Sequence, residues 1–475
     1  MKLNDLIKNL NILDEINNTN PDISGMHYNS SKIKQGDLFV AIKGFKTDGH
    51  KYMADAPKKG AVAILCEQYN ADIEIPQIIV ENSRIAEAQV ASEFFQNPSK
   101  NFKLIGITGT NGKTTCTYLV KQILDYCGYK TGLIGTNQNM IGSEVFETGR
   151  TTPDSFELQE LFKKMSDENA DYVIMEVSSH ALDLNRVYGC RFLVSAFTNL
   201  TQDHLDFHGT MQNYANAKSK IYNMSETAVI NTDDMYGEQM AKNAPCKVLS
   251  YSVDKASDLK AKNLKMSDKG ISFSVCGKDY FLGIPGKFSV YNALCAIGIT
   301  KSLGIPDEKI LKALCAATGV KGRAELVPTD TDFTMIIDYA HTPDGIENIL
   351  TTVKGFAKGR VVIVFGCGGD RDNTKRPIMG EVASRLADYV VVTSDNPRSE
   401  EPLNIINMIE DGVKKHNTPY TVIENRFDAI EFAIKNAKAD DVIVLAGKGH
   451  ETYQVLKNET IHFDEREIVA QILGK

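Results

Sequence analysis

The fold of this chain is decided by Gly106-Ile107-Thr108-Gly109-Thr110-Asn111-Gly112-Lys113-Thr114-Thr115. The stretch follows the apolar run Leu104-Ile105 and precedes apolar residues at helical spacing, which predicts a strand, a glycine-rich turn and a helix. Glycines let the backbone curl until consecutive N–H groups face an anion, and the positive end of the helix adds attraction. Lys113 would reach the outer phosphates, and the Thr114 hydroxyl would hold Mg²⁺. The stretch therefore predicts a nucleotide-phosphate site; the alternative is an ordinary glycine-rich turn.

Length, composition and charge narrow the classes of function. The 475 residues suggest about three domains, and 42% hydrophobic and 24% charged residues are ordinary for a soluble globular protein. The net charge of −8 comes without a dense basic tract, which argues against a nucleic-acid partner. Because the N-terminal residues contain no long apolar run, we expect a cytoplasmic protein with no membrane insertion.

Apolar strands alternate with helical patterns in two blocks. In the first block, residues 171–177 and 193–198 are predicted strands, so the phosphate loop should belong to a parallel sheet wrapped by helices. Residues 256–280 have a shorter, more polar alternation that predicts an antiparallel appendage. The second block has predicted strands at residues 334–338, 361–365 and 441–445.

The second block predicts another ligand surface. Each of its three strands ends in a polar or glycine-rich segment, and ligands of doubly wound sheets bind beyond the carboxyl ends of the strands. We predict an α/β protein with three domains, of which the central one carries the phosphate loop and the C-terminal one is Rossmann-like. Their predicted bounds are residues 1–100, 101–322 and 323–475.

Two further segments contain possible metal ligands. Glu176 ends an apolar strand, where a carboxylate would bind Mg²⁺ beside a phosphate loop; the alternative is a solvent-exposed strand end. Residues 199–208 include His204 among several potential ligands, but their spacing is not that of a zinc finger or a zinc protease. An isolated histidine is more often a structural hydrogen-bonding residue, whereas one near a triphosphate would complete a magnesium site.

In combination, these motifs resemble the Mur ligases, ATP-dependent enzymes that add amino acids to the peptidoglycan precursor. The matching segments are residues 109–115, 176–180, 202–209, 291–293, 322–325 and 338–344. They extend over nearly the whole chain, and Ile107 in place of the usual first glycine of the loop also fits that family. The resemblance implies an acid–amino-acid ligase with ATP and Mg²⁺ as cofactors.

The resemblance assigns roles around the nucleotide. The implied ATP contacts are Gly109, Thr110, Asn111, Gly112, Lys113, Thr114, Thr115, Asn292, Arg323 and Asp338. Asp338 is the candidate for the ribose hydroxyls. The implied metal ligands are Thr114, Glu176, His204 and a carbamylated Lys218, and the implied catalytic residues are Lys113, Lys218 and His204.

The role assigned to Lys218 depends more strongly on the resemblance than any other. Carbamylation converts the ammonium into an anion that coordinates a metal, and it requires a deprotonated amine in a shifted environment. From the residues alone, Lys218 is a solvent-exposed helical lysine.

The acceptor contacts are also implied by the resemblance. Thr151, Thr152, Ser179 and Arg186 would bind the acidic groups of a UDP-linked acceptor. Ser30 is retained as a uridine-side contact, although Asn29 and Ser31 stand where the family usually has Asp and Arg.

The added amino acid is indicated by Asp395-Asn396-Pro397-Arg398, which matches the motif of the family members that add meso-diaminopimelate. An arginine can bind the distal carboxylate of that diamino acid bidentately. Lysine as a substrate has no such carboxylate, so the arginine would be left unpaired and lysine binding would be disfavoured. By resemblance, Arg371, Gly447 and Glu451 complete the pocket, with Glu451 facing the distal ammonium. From the residues alone, the motif is a proline turn after a strand.

The resemblance implies a monomer that activates UDP-N-acetylmuramoyl-L-alanyl-D-glutamate as an acyl phosphate and joins it to meso-diaminopimelate. A lysine-adding member of the same family is the nearest alternative. A folylpolyglutamate synthetase would share the phosphate loop but lack the signature at residues 395–398. A phosphate-loop switch would instead hydrolyse a nucleotide without an acceptor.

Overall fold

The computed structural model describes residues 1–44, 47–146, 148–267, 270–284, 286–317 and 319–475. Contacts between these residues divide the chain into two units. The first unit comprises Met1–Gly106, Tyr129–Leu193 and Lys220–Glu226, and the second comprises Ile107–Gly128, Val194–Ser219 and Thr227–Lys475. The predicted domain bounds near residues 100 and 322 stay a prediction. Within the described part of the chain, no helix is long and apolar enough to cross a membrane.

The first hundred residues form one sheet with helices beside it. Its strands are β1 (Ile12–Ile16), β2 (Gly25–His27), β3 (Asp37–Val40), β4 (Ala61–Cys66) and β5 (Gln77–Val80), in the order β1-β5-β4-β3-β2. Only the β1–β5 pair among these is antiparallel. The helices are α1 (Leu3–Ile7) and α2 (Ser83–Phe94), with short 3₁₀ helices at Gly49–Tyr52, Pro57–Lys59 and Pro98–Lys100. The Asn82 side chain accepts hydrogen bonds from the N–H groups of Arg84 and Ile85 and so caps α2.

The middle of the chain alternates between strands and helices, as the sequence predicts. Its elements are β6 (Lys103–Thr108), α3 (Lys113–Tyr126), β7 (Thr131–Ile134), β8 (Asn139–Ile141), β9 (Glu144–Phe146), α4 (Ser155–Asp167), β10 (Tyr172–Glu176), α5 (Ser179–Asp183), β11 (Phe192–Phe197), α6 (Leu205–His208), α7 (Met211–Ser219), a 3₁₀ helix (Lys220–Met224), β12 (Ser225–Asn231), α8 (Met235–Asn243), β13 (Lys247–Ser252), β14 (Leu259–Lys260), β15 (Lys262–Ser267), β16 (Gly270–Val275), β17 (Lys278–Leu282), α9 (Lys287–Ser302) and α10 (Asp307–Cys315).

The sheet pairing explains where the phosphate loop lies. In the first unit the strand order is β6-β10-β7-β8-β9, with β10 and β7 parallel and the last two pairs antiparallel. In the second unit the order is β14-β13-β12-β11-β6, with β12, β13 and β14 parallel. The loop follows the carboxyl end of β6, the edge at which parallel sheets bind ligands. Strands β15, β16 and β17 form the antiparallel appendage that the sequence predicts.

The C-terminal residues form a second layered α/β arrangement. Its elements are β18 (Glu325–Val327), β19 (Thr334–Asp338), α11 (Pro343–Lys354), β20 (Val361–Phe365), α12 (Lys375–Leu386), β21 (Tyr389–Val392), α13 (Pro402–Val413), β22 (Tyr420–Val422), α14 (Arg426–Lys435), β23 (Val442–Ala446), β24 (Tyr453–Val455), β25 (Thr460–His462) and α15 (Glu465–Ile472). The sheet order is β18-β19-β23-β20-β21-β22, parallel except for β18, and β24 pairs with β25. Buried apolar side chains of β20 and β23 face helices on both sides of this sheet. The predicted Rossmann-like α/β fold is confirmed.

Candidate active site

The phosphate loop requires glycine at two positions. Gly109 and Gly112 have φ angles of 148° and 85°, which side chains disfavour. A Cβ at Gly109 would collide with Thr198 Oγ1, and one at Gly112 would lie 2.5 Å from Asn292 Oδ1. The loop backbone therefore lies closer to its neighbours than any other residue type allows.

Two lysines meet at one carbonyl of this loop. Lys113 Nζ donates to Gly109 O at 2.9 Å and to Thr110 O at 2.7 Å, and Lys218 Nζ donates to Gly109 O at 2.8 Å. Lys218 is only 1% exposed, so its interpretation as a solvent-exposed helical lysine is wrong. Burial, followed by the charge of Lys113, holds the pKa of Lys218 well below its ordinary value. The low pKa favours the neutral amine that carbamylation needs.

A cavity of about 380 Å³ in the second unit adjoins the loop. Its lining includes six of the predicted ATP contacts, namely Asn111, Gly112, Thr115, Asn292, Arg323 and Asp338. Ile284, Phe288, Val320 and Ile349 add apolar surface. The volume is in the range of small-molecule sites, and the mixture of apolar and hydrogen-bonding groups suits a nucleoside. The structure thus gathers these residues, while their contacts with ATP stay a prediction.

Arg323 and Asp338 shape the wall of this cavity. Arg323 donates from one terminal nitrogen to Thr114 Oγ1 at 3.0 Å, and its guanidinium lies 4.7 Å from the centre of the Tyr339 ring. The two carboxylate oxygens of Asp338 accept backbone N–H bonds from Ala324 at 2.7 Å and Ala340 at 2.8 Å. Burial raises the pKa of Asp338. Asp338 therefore fixes the local backbone, and its contact with a ribose stays a prediction.

His204 belongs to a charged cluster around Asp203. The Asp203 carboxylate lies 3.2 Å from Lys375 Nζ, and both side chains are buried. The Nε2 atoms of His204 and His341 lie 3.5 and 3.6 Å from Asp203 Oδ2. Burial alone would raise the pKa of Asp203, but His341, His204 and Lys375 outweigh it and hold the pKa well below its ordinary value. Sequence reasoning singled out neither Asp203 nor Lys375, although Asp203 lies inside a quoted motif.

In the first unit, Glu176 is fully buried at the end of β10, so the solvent-exposed strand end is wrong. The backbone N–H and the hydroxyl of Thr136 donate to the two Glu176 oxygens, each at 2.9 Å. The Thr136 and Thr151 hydroxyls lie 3.0 Å apart, and the Thr152 hydroxyl donates to Glu176 O at 2.9 Å. Among the described residues, no group of three His, Cys, Asp or Glu side chains is arranged to hold a metal ion. The metal ligands stay a prediction.

Among the other predicted acceptor residues, Arg186 lies beside Asp154, a residue that sequence reasoning missed. Arg186 Nε lies 2.9 Å from Asp154 Oδ1, and Arg186 donates to Thr152 O at 3.2 Å. Tyr28 donates to Asp154 Oδ2 at 2.6 Å, and Arg150 also pairs with Asp154. Burial, followed by Asp154, raises the pKa of Tyr28 to about 12. Tyr28 lies two residues before the predicted uridine contact at position 30, so this network joins the two parts of the predicted acceptor site.

Ser30 and Ser179 occupy different surroundings. Ser30 is half-buried between β2 and β3, whereas Ser179 is 1% exposed and begins α5. Ser178 caps this helix by accepting a hydrogen bond from the Ala181 N–H. The contacts of both serines with an acceptor stay predictions.

The predicted diaminopimelate residues come together where β20, β21 and β23 end, and we call them the amino-acid cluster. Its members are Arg371, Asp395, Asn396, Pro397, Arg398, Gly447 and Glu451. Asn396 Nδ2 donates to Glu451 Oε2 at 2.9 Å, and a Cβ at Gly447 would lie 2.6 Å from Asp395 Oδ2. The Pro397 carbonyl accepts the Glu400 N–H at 3.0 Å, so the motif does form a turn as well.

The two arginines of the amino-acid cluster border Gly368. Arg398 donates to Gly369 O at 2.8 Å. A Cβ at Gly368 would lie 2.9 Å from a terminal nitrogen of Arg398. The same Cβ would lie 4.0 Å from Arg371 Cγ. Arg371 is exposed and donates to Asp370 O at 2.9 Å. Lys448, inside a polar segment that the sequence analysis noted, is a buried neighbour that sequence reasoning missed.

Family models match three parts of the chain. The models are described as Mur ligase family, catalytic domain (residues 22–101), Mur ligase middle domain (residues 107–300) and Mur ligase, glutamate ligase domain (residues 322–449). A curated relative from Caldanaerobacter subterraneus subsp. tengcongensis is named UDP-N-acetylmuramoyl-L-alanyl-D-glutamate--2,6-diaminopimelate ligase. It is 52% identical over 482 residues, which cover 100% of this chain and 99% of the relative.

Solved structures share the fold. One of a protein with the same name has a TM-score of 0.66 at 30% identity and covers 95% of each chain. A folylpolyglutamate synthase from Mycobacterium tuberculosis, complexed with ADP and AMPPCP, has a TM-score of 0.66 at 18% identity. That match covers 82% of this chain and 95% of the synthase and shows a common fold alone.

Proposed function

Because the chain belongs to the Mur ligase family, we propose that this ATP-dependent ligase joins 2,6-diaminopimelate to UDP-N-acetylmuramoyl-L-alanyl-D-glutamate. The observation that carries the proposal is the full-length similarity to the curated diaminopimelate ligase. The amino-acid cluster supports it, because it offers cations and a carboxylate to a ligand that bears both charges at its distal end.

The first step forms an acyl phosphate. The side-chain carboxylate of the acceptor's D-glutamate attacks the γ-phosphorus of ATP, which forms a C–O–P link and releases ADP. Lys113 neutralises charge that develops on the phosphate oxygens. Thr151, Thr152 and Arg186 hold the acceptor, with Ser179 and Ser30 as further contacts. The buried pairing of Arg186 with Asp154 supports this role because it orients the guanidinium before the acceptor arrives.

Mg²⁺ fits the residues of the proposed site. Hydroxyl, carboxylate and carbamate oxygens are the ligands that this ion prefers, and Thr114, Glu176 and a carbamylated Lys218 supply them, with His204 as a further ligand. Carbamylation of Lys218 would also place an anion beside the Lys113 ammonium, since both side chains meet at Gly109 O. When bound, the ion would polarise phosphate oxygens.

The second step forms the amide. One diaminopimelate amine attacks the acyl carbon in its neutral form, the tetrahedral intermediate expels inorganic phosphate as the C–O bond breaks, and the released phosphate takes up the proton that the nitrogen loses. Arg398 and Arg371 bind the distal carboxylate of the meso isomer, and Glu451 binds the distal ammonium. Because water would hydrolyse the acyl phosphate, the amine has to reach it in a site from which water is excluded.

The setting of the reaction completes the proposal. Residues 1–100 bind the UDP end, residues 101–322 bind ATP and the reacting carboxylate, and residues 323–475 bring the amino acid. The enzyme acts as a monomer in the cytoplasm, where ATP and the nucleotide-linked acceptor are available. Sedimentation of the purified protein measures whether it is a monomer.

An ADP-release assay tests the proposed function. The purified protein is supplied with ATP, Mg²⁺, the UDP-linked dipeptide and one amine from a panel that contains meso-diaminopimelate, L-lysine and D-alanine. We expect rapid ADP release only when the acceptor and meso-diaminopimelate are both present. A preference for lysine would contradict the amino-acid assignment, and ADP release without an acceptor would indicate a nucleotide switch.

A further inference from the structure

Lys448 is a buried cation to which the proposed reaction assigns no role. It is 0% exposed and follows Gly447, immediately after β23. Its ammonium lies 5.7 Å from the centre of the Tyr453 ring and 5.9 Å from that of the Phe463 ring. A lysine that is removed from water in this way is costly unless a carboxylate and hydrogen bonds compensate its charge.

The partners of Lys448 are two members of the amino-acid cluster. Its Nζ donates to Glu451 Oε2 at 3.0 Å and to Asn396 Oδ1 at 3.3 Å. Asn396 Nδ2 in turn donates to the same Glu451 oxygen at 2.9 Å. Lys448 therefore closes a triangle that joins the end of β21 to the segment after β23.

The backbone around this triangle is held by a different pair. The side chains of Arg426 and Glu465 are each 0% exposed and lie 2.8 Å apart. Arg426 also donates to Ala446 O at 2.8 Å and to Ser394 O at 3.4 Å, which are the carbonyls just before the two segments. The backbone of the cluster thus has its own anchor, and Lys448 acts on the side chains of Glu451 and Asn396.

We propose that Lys448 is a positioning residue for recognition of the incoming amino acid, an inference that rests on the proposed function. It fixes the Glu451 carboxylate through Oε2, so that Oε1 meets the distal ammonium of the diamino acid. Lys448 also offsets the negative charge of Glu451 in a buried place, which leaves the arginines of the cluster available to the distal carboxylate. Lys448 touches no reacting atom; it acts on recognition through Glu451, to which it is joined directly and by way of Asn396.

A double-mutant cycle tests this inference on the full-length protein. The variants are Lys448→Met, Glu451→Gln and the double variant, and Lys457→Met on the exposed turn after β24 is the matched control. The measurements are the KM values for meso-diaminopimelate, ATP and the acceptor, together with the midpoint of thermal unfolding. Methionine keeps most of the length of the lysine side chain and removes its charge.

We expect Lys448→Met to raise the KM for meso-diaminopimelate by about tenfold or more, because a buried carboxylate loses its partner. The KM values for ATP and the acceptor should change by less than about twofold. The KM of the double variant for meso-diaminopimelate should be no higher than that of Glu451→Gln alone, since both changes interrupt the same contact. Lys457→Met should behave like the unchanged protein.

The inference is overturned if the two single effects multiply in the double variant, if the KM for ATP rises as much as that for the amine, or if Glu451→Gln leaves the amine KM unchanged. Should Lys448→Met fail to fold, the double variant removes both buried charges and still decides: a KM equal to that of Glu451→Gln supports the inference, and a higher one overturns it. If the protein without substitutions showed no amine-dependent ADP release, the proposed function itself would be overturned.

Discussion

The phosphate loop and the amino-acid cluster belong to the same unit but are assembled differently. The loop is seven consecutive residues, 109–115, that follow one strand. The amino-acid cluster is assembled from the ends of three strands, and its Asn396–Glu451 hydrogen bond joins residues 55 positions apart. The chemistry of a local motif such as the phosphate loop can be predicted from consecutive residues. The chemistry of the amino-acid cluster depends on how distant segments pack.

The phosphate loop and the amino-acid cluster also differ in their charges. The loop keeps the Lys113 ammonium at the start of α3, where the helix N-terminus adds positive potential, which suits a polyanion. The amino-acid cluster pairs Lys448 with Glu451 and keeps two arginines near Gly368, which suits a zwitterion with charges of both signs. Variants of the loop should therefore abolish ATP turnover, and variants of the amino-acid cluster should change which amine is used.

The largest effect is expected from Lys113→Met. Loss of the ammonium that we propose to face the phosphates should lower the rate of acceptor-dependent ADP release by about 10²- to 10³-fold. Steady-state kinetics with saturating acceptor and amine measure this, with Lys312→Met on the exposed face of α10 as the control. A near-normal rate would show that the loop does not serve ATP, which would end the comparison.

Lys218→Ala should have the next largest effect, about 100-fold on the same rate, because the proposed metal-binding carbamate can no longer form. Short carboxylic acids such as acetate should restore part of the activity, since they supply a carboxylate in the emptied space. The same acids should not restore Lys113→Met, which is the control. Full activity without any additive would exclude the carbamate.

Arg398→Lys should affect only the amine. A lysine ammonium cannot form the two parallel bonds of a guanidinium, so the KM for meso-diaminopimelate should rise by about 10- to 30-fold. The KM for ATP should stay unchanged, which distinguishes the amino-acid cluster from the loop. Arg385→Lys, on an exposed residue paired with Glu347, is the control. Unchanged amine kinetics would contradict the pocket assignment.

His450→Gln should give the smallest effect, on stability. Burial, followed by Arg323, lowers the pKa of His450 from 6.5 to about 3, so the folded protein holds this imidazole neutral. The unfolded chain binds the proton more readily, and stability should therefore fall as the pH drops from about 6.5 towards 3. In the variant, the decline of the thermal midpoint between pH 6.5 and 4.5 should be smaller by roughly 2–4 °C. Equal declines in the two proteins would contradict the neutral burial.

Much of the fold was predictable because hydrophobic periodicity is a local property. Strands β10, β11, β19, β20 and β23 lie within a residue or two of the predicted runs, and the polar alternation at residues 256–280 does form an antiparallel sheet. The glycines of the loop were equally readable, because a positive φ and a close approach both demand glycine.

The surroundings of the polar side chains were not predictable in this way. From the residues alone, Lys218 is exposed and a solvent-exposed strand end is one of two interpretations of Glu176, yet the two residues are 1% and 0% exposed in the structure. The Asp154 carboxylate pairs with Arg186, and the Asp203 carboxylate lies beside His341 and Lys375, three residues that come from distant parts of the chain. Spacing along the sequence does not record such pairings.

The sequence by itself determined the alternation of strands and helices, the phosphate loop and the motifs that resemble a ligase family, because each depends on neighbouring residues. Only the tertiary structure decided which charges are buried and with whom they pair, as for Lys218 at Gly109 O and Lys448 at Glu451. The physical reason is that the cost of removing a charge from water, and the partner that offsets this cost, depend on every segment packed around it.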